Sequence, residues 1–276
     1  MHDLTGQMMP PNQREIVERF ARACQSDPRV AAAFLGGSHA SGAADAHSDI
    51  DLYVITTDAG FEAFLAAREE FVSRLGELAW SESFQEPNMI LFIFADGTEG
   101  ELGIGFESRF TDIHKGPYVT LLDKMGILNG VAFAGVAANP AEQKELLRSQ
   151  LSWFWHDLSH FITALSRGDL WWAAGQIEVL RGICVTLARL EQNFMDGEAG
   201  EEPYFKVGQA LPSARLEPLR ATYCPVQFGP LLDASFVLLA FYKALAVPLA
   251  EKHGFVYASG LESVYRTRLE RLRRSL

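Results

Sequence analysis

Cysteine is scarce in this 276-residue chain: Cys24, Cys184 and Cys224 are odd in number, widely scattered and never paired as CxxC. That excludes a disulfide framework and a cysteine zinc site, and leaves three small apolar side chains suited to burial. Long apolar runs are missing too. No stretch approaches the ~18–20 uncharged apolar residues of a membrane span, and the opening MHDLTGQMMPPNQREIVERF lacks the apolar segment of a secretory signal. A cytoplasmic protein without a membrane partner is expected. Nor is there an excess of positive charge. The net charge is -11, and residues 1–140 hold all of it, with 9 basic against 20 acidic residues, while residues 141–276 carry 15 of each. Nucleic-acid affinity rests on Lys and Arg contacts to phosphates, so no nucleic-acid partner is expected, and small neutral or cationic partners are favoured. Internal repeats and low-complexity tracts are also absent.

What remains is the composition of a folded protein, 48% hydrophobic and 21% charged, long enough for two modest domains. Ile16, Val17, Phe20 and Ala23 recur at helical spacing over Arg14–Cys24, and this helix ends before Pro28. Val30–Leu35 is a short apolar run closed by Gly36-Gly37-Ser38, which predicts a buried strand feeding a tight turn. Asp49–Thr56 predicts a second strand and Phe61–Leu78 an amphipathic helix. Met89–Phe94 and Glu101–Phe106 flank ADGTEG, whose Asp-Gly is a hairpin signal. TDIHKGPYVTLLDKMGILNG is mixed, and GVAANP (135–140) is the candidate linker. Beyond it come helices over Ala141–Leu165 and Leu170–Asn193, split by Arg167-Gly168-Asp169, then an acidic loop over Met195–Pro203 and helices over Leu231–Leu249 and Gly260–Leu276. The expected fold is α+β: a catalytic α/β domain with a mixed β-sheet over residues 1–138, then a helical bundle over 139–276.

The chemistry concentrates in Phe34–Val54, FLGGSHASGAADAHSDIDLYV. Gly37 lets backbone N–H groups approach phosphate oxygens, Ser38 adds a hydroxyl donor, and a short helix after the turn would present its positive end to an anion. Asp49 and Asp51 are two apart on a strand, so their carboxylates share a face while Ile50 points into the core. Two carboxylates aimed at one point repel unless a cation lies between them, and oxygen ligands select Mg²⁺ or Mn²⁺. A lone DxD is usually a solvated strand end. Here it follows a strand, a Gly-Ser turn and a fixed spacing, which together point to a metal site that receives a triphosphate.

This pattern resembles the nucleotidyltransferases of the DNA polymerase β type, whose signature is an apolar strand, Gly-Gly or Gly-Ser, about a dozen residues, then Asp-x-Asp or Asp-x-Glu. The resemblance implies that Gly37 and Ser38 hold the nucleotide's β- and γ-phosphates, that Asp49 and Asp51 bind metal, and that a later strand supplies a third carboxylate. Glu101 lies where the family places that acid. Glu99, expected in the hairpin turn, and Glu107, of the same strand parity as Glu101, are its rivals. Residues 154–192 (FWHDLSHFITALSRGDLWWAAGQIEVLRGICVTLARLEQ) and TLLDKMG extend the likeness to lincosamide and aminoglycoside antibiotic nucleotidyltransferases, in which two subunits commonly pack together and the acceptor lies between catalytic and helical domains. A homodimer is therefore expected, also because SFVLLAFYKALAVPLA has little polar surface.

The implied reaction moves a nucleoside monophosphate from an NTP, such as ATP, onto a hydroxyl of a small antibiotic-like molecule. Two Mg²⁺ ions clamp the displacement, and Glu101 acts as metal ligand or general base. Two alternatives carry the same motif: modification of a protein or an RNA, as in toxin-antitoxin systems, and a catalytically inactive nucleotide-binding protein. His156-Asp157-Leu158-Ser159-His160 is superficially like the H-E-x-x-H zinc motif but has Asp in place of Glu and no third ligand in view, so a polar bundle face is preferred. Trp153, Trp155, Trp171 and Trp172 are ordinarily packing residues, Glu178 and Arg181 an ion pair on one helix face, and RTRLERLRR a solvated helix face.

Overall fold

Pro10 and Pro11 start helix α1 (Pro11–Ser26), as Pro suits a first turn whose N–H groups lack intrahelical partners. Its buried stripe of Gln13, Ile16, Val17, Phe20 and Cys24 follows the helical period and lies on strand β1 (Val30–Leu35), buried at every position. After β1 come α2 (Gly37–Ser41), β2 (Ile50–Thr56), a 3-10 turn at Asp58–Gly60, α3 (Phe61–Ala66), α4 (Arg68–Ser73), β3 (Leu78–Glu82), β4 (Met89–Phe94), β5 (Glu99–Phe106) and β6 (Val119–Asp123). The computed structural model describes residues 9–84, 87–134 and 138–274.

The six strands form one mixed sheet in the order β3-β4-β5-β2-β1-β6. Only β2 and β5 run parallel; the other neighbours are antiparallel. One face carries Val30, Leu35, Ile50, Leu52, Val54, Leu102 and Ile104, packed with α1 and with Phe64, Phe71 and Val72 of α3 and α4. The other carries Ala32, Phe34, Tyr53 and Ile55, packed with Phe133, Phe110, Ile113 and Tyr118 from the loops around β6. Strand alternation thus gives β2 two buried faces over most of its length.

Several elements differ from expectation. The helix expected over Phe61–Leu78 is two short helices that meet at Ala67, and Leu78 opens β3 instead. β3 mixes half-buried and exposed positions without strict alternation, so it does not stand out as a strand. Glu99 is the first residue of β5, opposite Ile93, and does not sit in the turn. The mixed segment after residue 110 contains β6, an edge strand on β1. Of the candidate linker, residues 135–137 lie outside the described residues.

The chain divides into two units, Met1–Val136 and Ala137–Leu276, against the 1–138 and 139–276 expected. The second is all helical: α5 (Pro140–Ser166), α6 (Leu170–Gln192), α7 (Glu198–Glu201), α8 (Val207–Ala210), α9 (Ser213–Arg220), α10 (Phe228–His253) and α11 (Ser259–Arg274). Asn139 caps α5 by accepting from Ala141 N–H at 2.9 Å, and Asp169 caps α6 by accepting from Trp172 N–H at 3.1 Å. The acidic loop holds α7, and buried Arg189 pins it through an ion pair to Asp196 at 2.7 Å and bonds to the carbonyls of Pro203 and Phe205. By length and composition α10 could cross a membrane, yet more than half of its apolar stretch is buried inside the bundle. Leu231, Leu238, Tyr242, Leu245 and Leu249 all lie in the bundle core. The apolar surface that motivated a homodimer is therefore largely spent within one chain.

Candidate active site

β1 ends at Leu35 and the chain turns at once into α2. Gly36 N–H donates to the Asp51 carbonyl at 2.9 Å, which fastens the turn to β2 beside the second aspartate. Gly37 has φ +56°, and a Cβ there would stand 1.8 Å from Asp51 Oδ2, so the turn lies directly on that carboxylate. Both conditions call for glycine. At Gly36 a Cβ would fall 2.7 Å from the Tyr53 ring and 2.8 Å from the His114 ring, so the absent side chain lets both rings close on the turn. Ser38 Oγ is buried and has no hydrogen-bond partner among the described residues. A buried hydroxyl left unsatisfied in the protein suits an incoming acceptor such as a phosphate oxygen.

The segment leading into β2 is organised locally. Asp45 Oδ1 accepts from His47 N–H at 2.8 Å, Ser48 Oγ accepts from Asp45 N–H at 2.9 Å, and Gln13 of α1 donates to the Ser48 carbonyl at 2.6 Å. This delivers Asp49, exposed and one residue ahead of β2, and then Asp51, half-buried on β2. In the parallel β2–β5 pairing Asp51 stands directly opposite Glu101. Asp49, Asp51 and Glu101 therefore lie at one end of two neighbouring strands with no ion-pair partner among the described residues.

The electrostatic consequence is visible in the acids themselves. Burial, then the charges of Asp49 and Glu101, push Asp51 up to about 7. Burial also raises Glu101, helped by Asp49 and opposed by the Tyr53 hydroxyl, which donates to Oε1 at 3.1 Å, and by His114. A set of oxygen donors whose negative charges are mutually unfavourable fits a hard divalent cation, Mg²⁺ or Mn²⁺. Asp49, Asp51 and Glu101 are the residues that would hold it.

Neither rival acid joins this set. Glu99 is exposed, and Glu107 lies beyond the far end of β5, where its carboxylate accepts from Asp58 N–H at 3.3 Å. Three neighbours were missed from sequence. Tyr53 shares strand parity with Asp51, a signal that could have placed it on the same face; its ring stacks on Phe34 at 4.7 Å. His114 is buried against Phe34 and Tyr53, and its Nε2 bonds the Pro117 carbonyl at 2.9 Å, a loop contact without periodic signature. His39 of α2 is fully buried, and burial lowers its pKa while the charge and backbone of Asp49 oppose that shift.

In the helical unit, Trp155 is core, while Trp153 and Trp171 are exposed. Arg181 is buried and paired with Glu178; it also donates to Thr222 Oγ1 at 2.8 Å and stacks on Tyr223 at 3.8 Å. Tyr204 donates to Glu178 at 2.7 Å, so the pair is a knot in the bundle.

Comparison with known proteins then extends past the motif. Among solved structures, that of an aminoglycoside 6-adenyltransferase from Bacillus subtilis is 16% identical, covering 96% of this chain and 99% of that one with a TM-score of 0.39. No curated protein matches. The family profile of streptomycin adenylyltransferase matches residues 11–272, taking in the Gly-Ser turn, the aspartates, Glu101 and the bundle helices. The chain belongs to the streptomycin adenylyltransferase family, and it is a nucleotidyltransferase.

Proposed function

We propose that the protein transfers the adenylyl group of ATP to a hydroxyl of an aminoglycoside antibiotic, with release of pyrophosphate, and so confers resistance to it. The observation that carries this reading is a family match running through both units, combined with Asp51 and Glu101 standing opposite one another on parallel strands. The acidic balance of residues 1–140 supports a polycationic acceptor over a nucleic acid. Dependence on ATP fits a cytoplasmic location.

Bound at Asp49, Asp51 and Glu101, Mg²⁺ would neutralise the triphosphate and the charge that develops on pyrophosphate. The Gly36–Gly37 turn and Ser38 Oγ hold phosphate oxygens. An acceptor hydroxyl oxygen then attacks the α-phosphorus, the bond from that phosphorus to the α,β-bridging oxygen breaks, and pyrophosphate leaves with the electron pair. The hydroxyl proton passes to a carboxylate. Glu101 is suited to take it, since burial raises its basicity and the Tyr53 hydroxyl fixes its Oε1 at 3.1 Å.

The direct test incubates the protein with each NTP, Mg²⁺ and a panel containing streptomycin, other aminoglycosides and lincosamides, followed by mass spectrometry. An AMP adduct on an aminoglycoside, with stoichiometric pyrophosphate, is expected. Labelling of an RNA or a protein, with no antibiotic adduct, would overturn the assignment of acceptor.

A further inference from the structure

His156, Asp157 and His160 of α5 form a second ligand-rich cluster, outside the proposed catalytic set. One nitrogen or oxygen from each lies within 4.8 Å of those of the other two. The four-residue spacing brings the imidazoles together on one helix face, edge to face, with ring centroids 4.2 Å apart. Asp157 follows His156 directly, yet its Oδ1 reaches His156 Nδ1 at 3.1 Å. Ligands that share a zinc-type ion, each ~2.0–2.2 Å from it at right to tetrahedral angles, stand roughly 2.8–3.6 Å apart. The His156–Asp157 pair already has that spacing. His160, whose ligand atom lies within 4.8 Å of the other two, reaches that spacing by side-chain rotation in a partly exposed residue.

The cluster is also open to solvent and flanked by aromatic rings. The His156 side chain is 51% exposed and that of Asp157 14%. Trp153 lies edge-on to His156 at 4.9 Å, and Trp172, at the start of α6, lies 5.9 Å from His160. Two imidazoles and one carboxylate prefer a transition dication to Mg²⁺, whose ligands are oxygens.

We propose that His156, Asp157 and His160 bind a zinc-class divalent cation, with water in the remaining positions. The residue that would be the general base of an H-E-x-x-H enzyme is here the ligand Asp157, so the site binds and braces the helix and carries no hydrolytic chemistry. The proposal does not rest on the transfer reaction.

The test titrates Zn²⁺ calorimetrically into the full-length protein in saturating Mg²⁺, with Cu²⁺ quenching of tryptophan fluorescence as a second readout. One zinc per chain is expected, with a zinc-dependent rise in Tm. His160→Gln should weaken zinc binding by ~10-fold or more and reduce the quenching, whereas Asp51→Asn should bind zinc normally. Circular dichroism in EDTA reports whether His160→Gln is folded. His156→Gln, at a half-exposed position, repeats the test independently of the core. Absence of zinc binding in the wild type, undiminished binding in the folded histidine variants, or loss of binding in Asp51→Asn would each overturn the assignment.

Discussion

Replacing Gly37 with alanine puts a methyl group where Asp51 already is. The new Cβ would lie 1.8 Å from Asp51 Oδ2, and real Cβ atoms essentially never approach closer than 3.0 Å, so the carboxylate must retreat by at least the 1.2 Å difference. A misplacement of about 1 Å in a catalytic group costs ~10²-fold in rate. The backbone contributes separately, because a non-glycine residue at φ +56° costs ~1–2 kcal/mol in stability. Gly42 separates the two effects. It has φ +74°, and a methyl group added there would meet nothing within 4 Å, so Gly42→Ala carries the backbone cost without the collision. Both variants should lose about 2–8 °C in Tm at ~2–4 °C per kcal/mol. Only Gly37→Ala should lose about 100-fold in kcat for AMP transfer. Steady-state pyrophosphate release beside differential scanning calorimetry measures both. Near-normal kcat in Gly37→Ala, or an equal fall in Gly42→Ala, would refute the contact between turn and carboxylate.

Asp51 tests the electrostatics. Its folded-state pKa of about 7 lies above the ordinary 3.8, so the fold favours the protonated acid, a contribution fully present below 3.8 and lost as pH rises through about 7. In EDTA, Asp51→Asn should thus melt above the wild type near about pH 8, with the gap shrinking toward about pH 4, and in a separate assay with Mg²⁺ it should be inactive where the wild type is active; a gap independent of pH would contradict the argument. Glu101→Gln should lose ~10²–10⁴-fold in turnover while exposed Glu99→Gln stays near normal, and the reverse ranking would move the third acid to the start of β5. Tyr53→Phe removes a donor that stabilises the ionised Glu101, so the acidic limb of the kcat/KM profile should move to higher pH; an unmoved limb would exclude that bond from the working enzyme. Streptomycin binding should weaken from low salt to about 0.15 M, where the Debye length is ~8 Å, more than lincosamide binding does, and equal salt dependence would dismiss electrostatic recognition.

How much of this was legible from sequence follows from where the determinants are local. β1 could be bounded to the residue, because an unbroken apolar run stopped by Gly36-Gly37 has one interpretation. The Asp49/Asp51 pair was nominated by its parity only together with the preceding strand, the Gly-Ser turn and the spacing between them. β3 and β6 were not, since one is half exposed and the other half-buried throughout, and an edge strand announces itself mainly through its partner. The pairing of Asp51 with Glu101 is a register between strands 50 residues apart, so sequence could nominate Glu101 only by resemblance. His114 was out of reach for the same reason. Its place depends on the loops that cover the second face of the sheet. The apolar α10 cannot be read either way from composition, which is the same whether its partner is another chain or its own bundle.

The acids explain why this site is costly to the protein that carries it. Asp51 and Glu101 face each other across adjacent strands, partly withdrawn from water, with Asp49 adding a third charge and no arginine or lysine among the described residues paired to any of them. A resident cationic side chain would relieve the repulsion and stabilise the fold. It would also occupy the space and the charge that a divalent cation and a triphosphate require. The neighbours present instead are a tyrosine hydroxyl, which steadies one carboxylate without neutralising it, and glycines, which keep the approach clear. On the proposed function, local instability in the free protein and affinity for cation and nucleotide are thus one property. A substitution that cures the first, such as Asp51→Asn, must abolish the second.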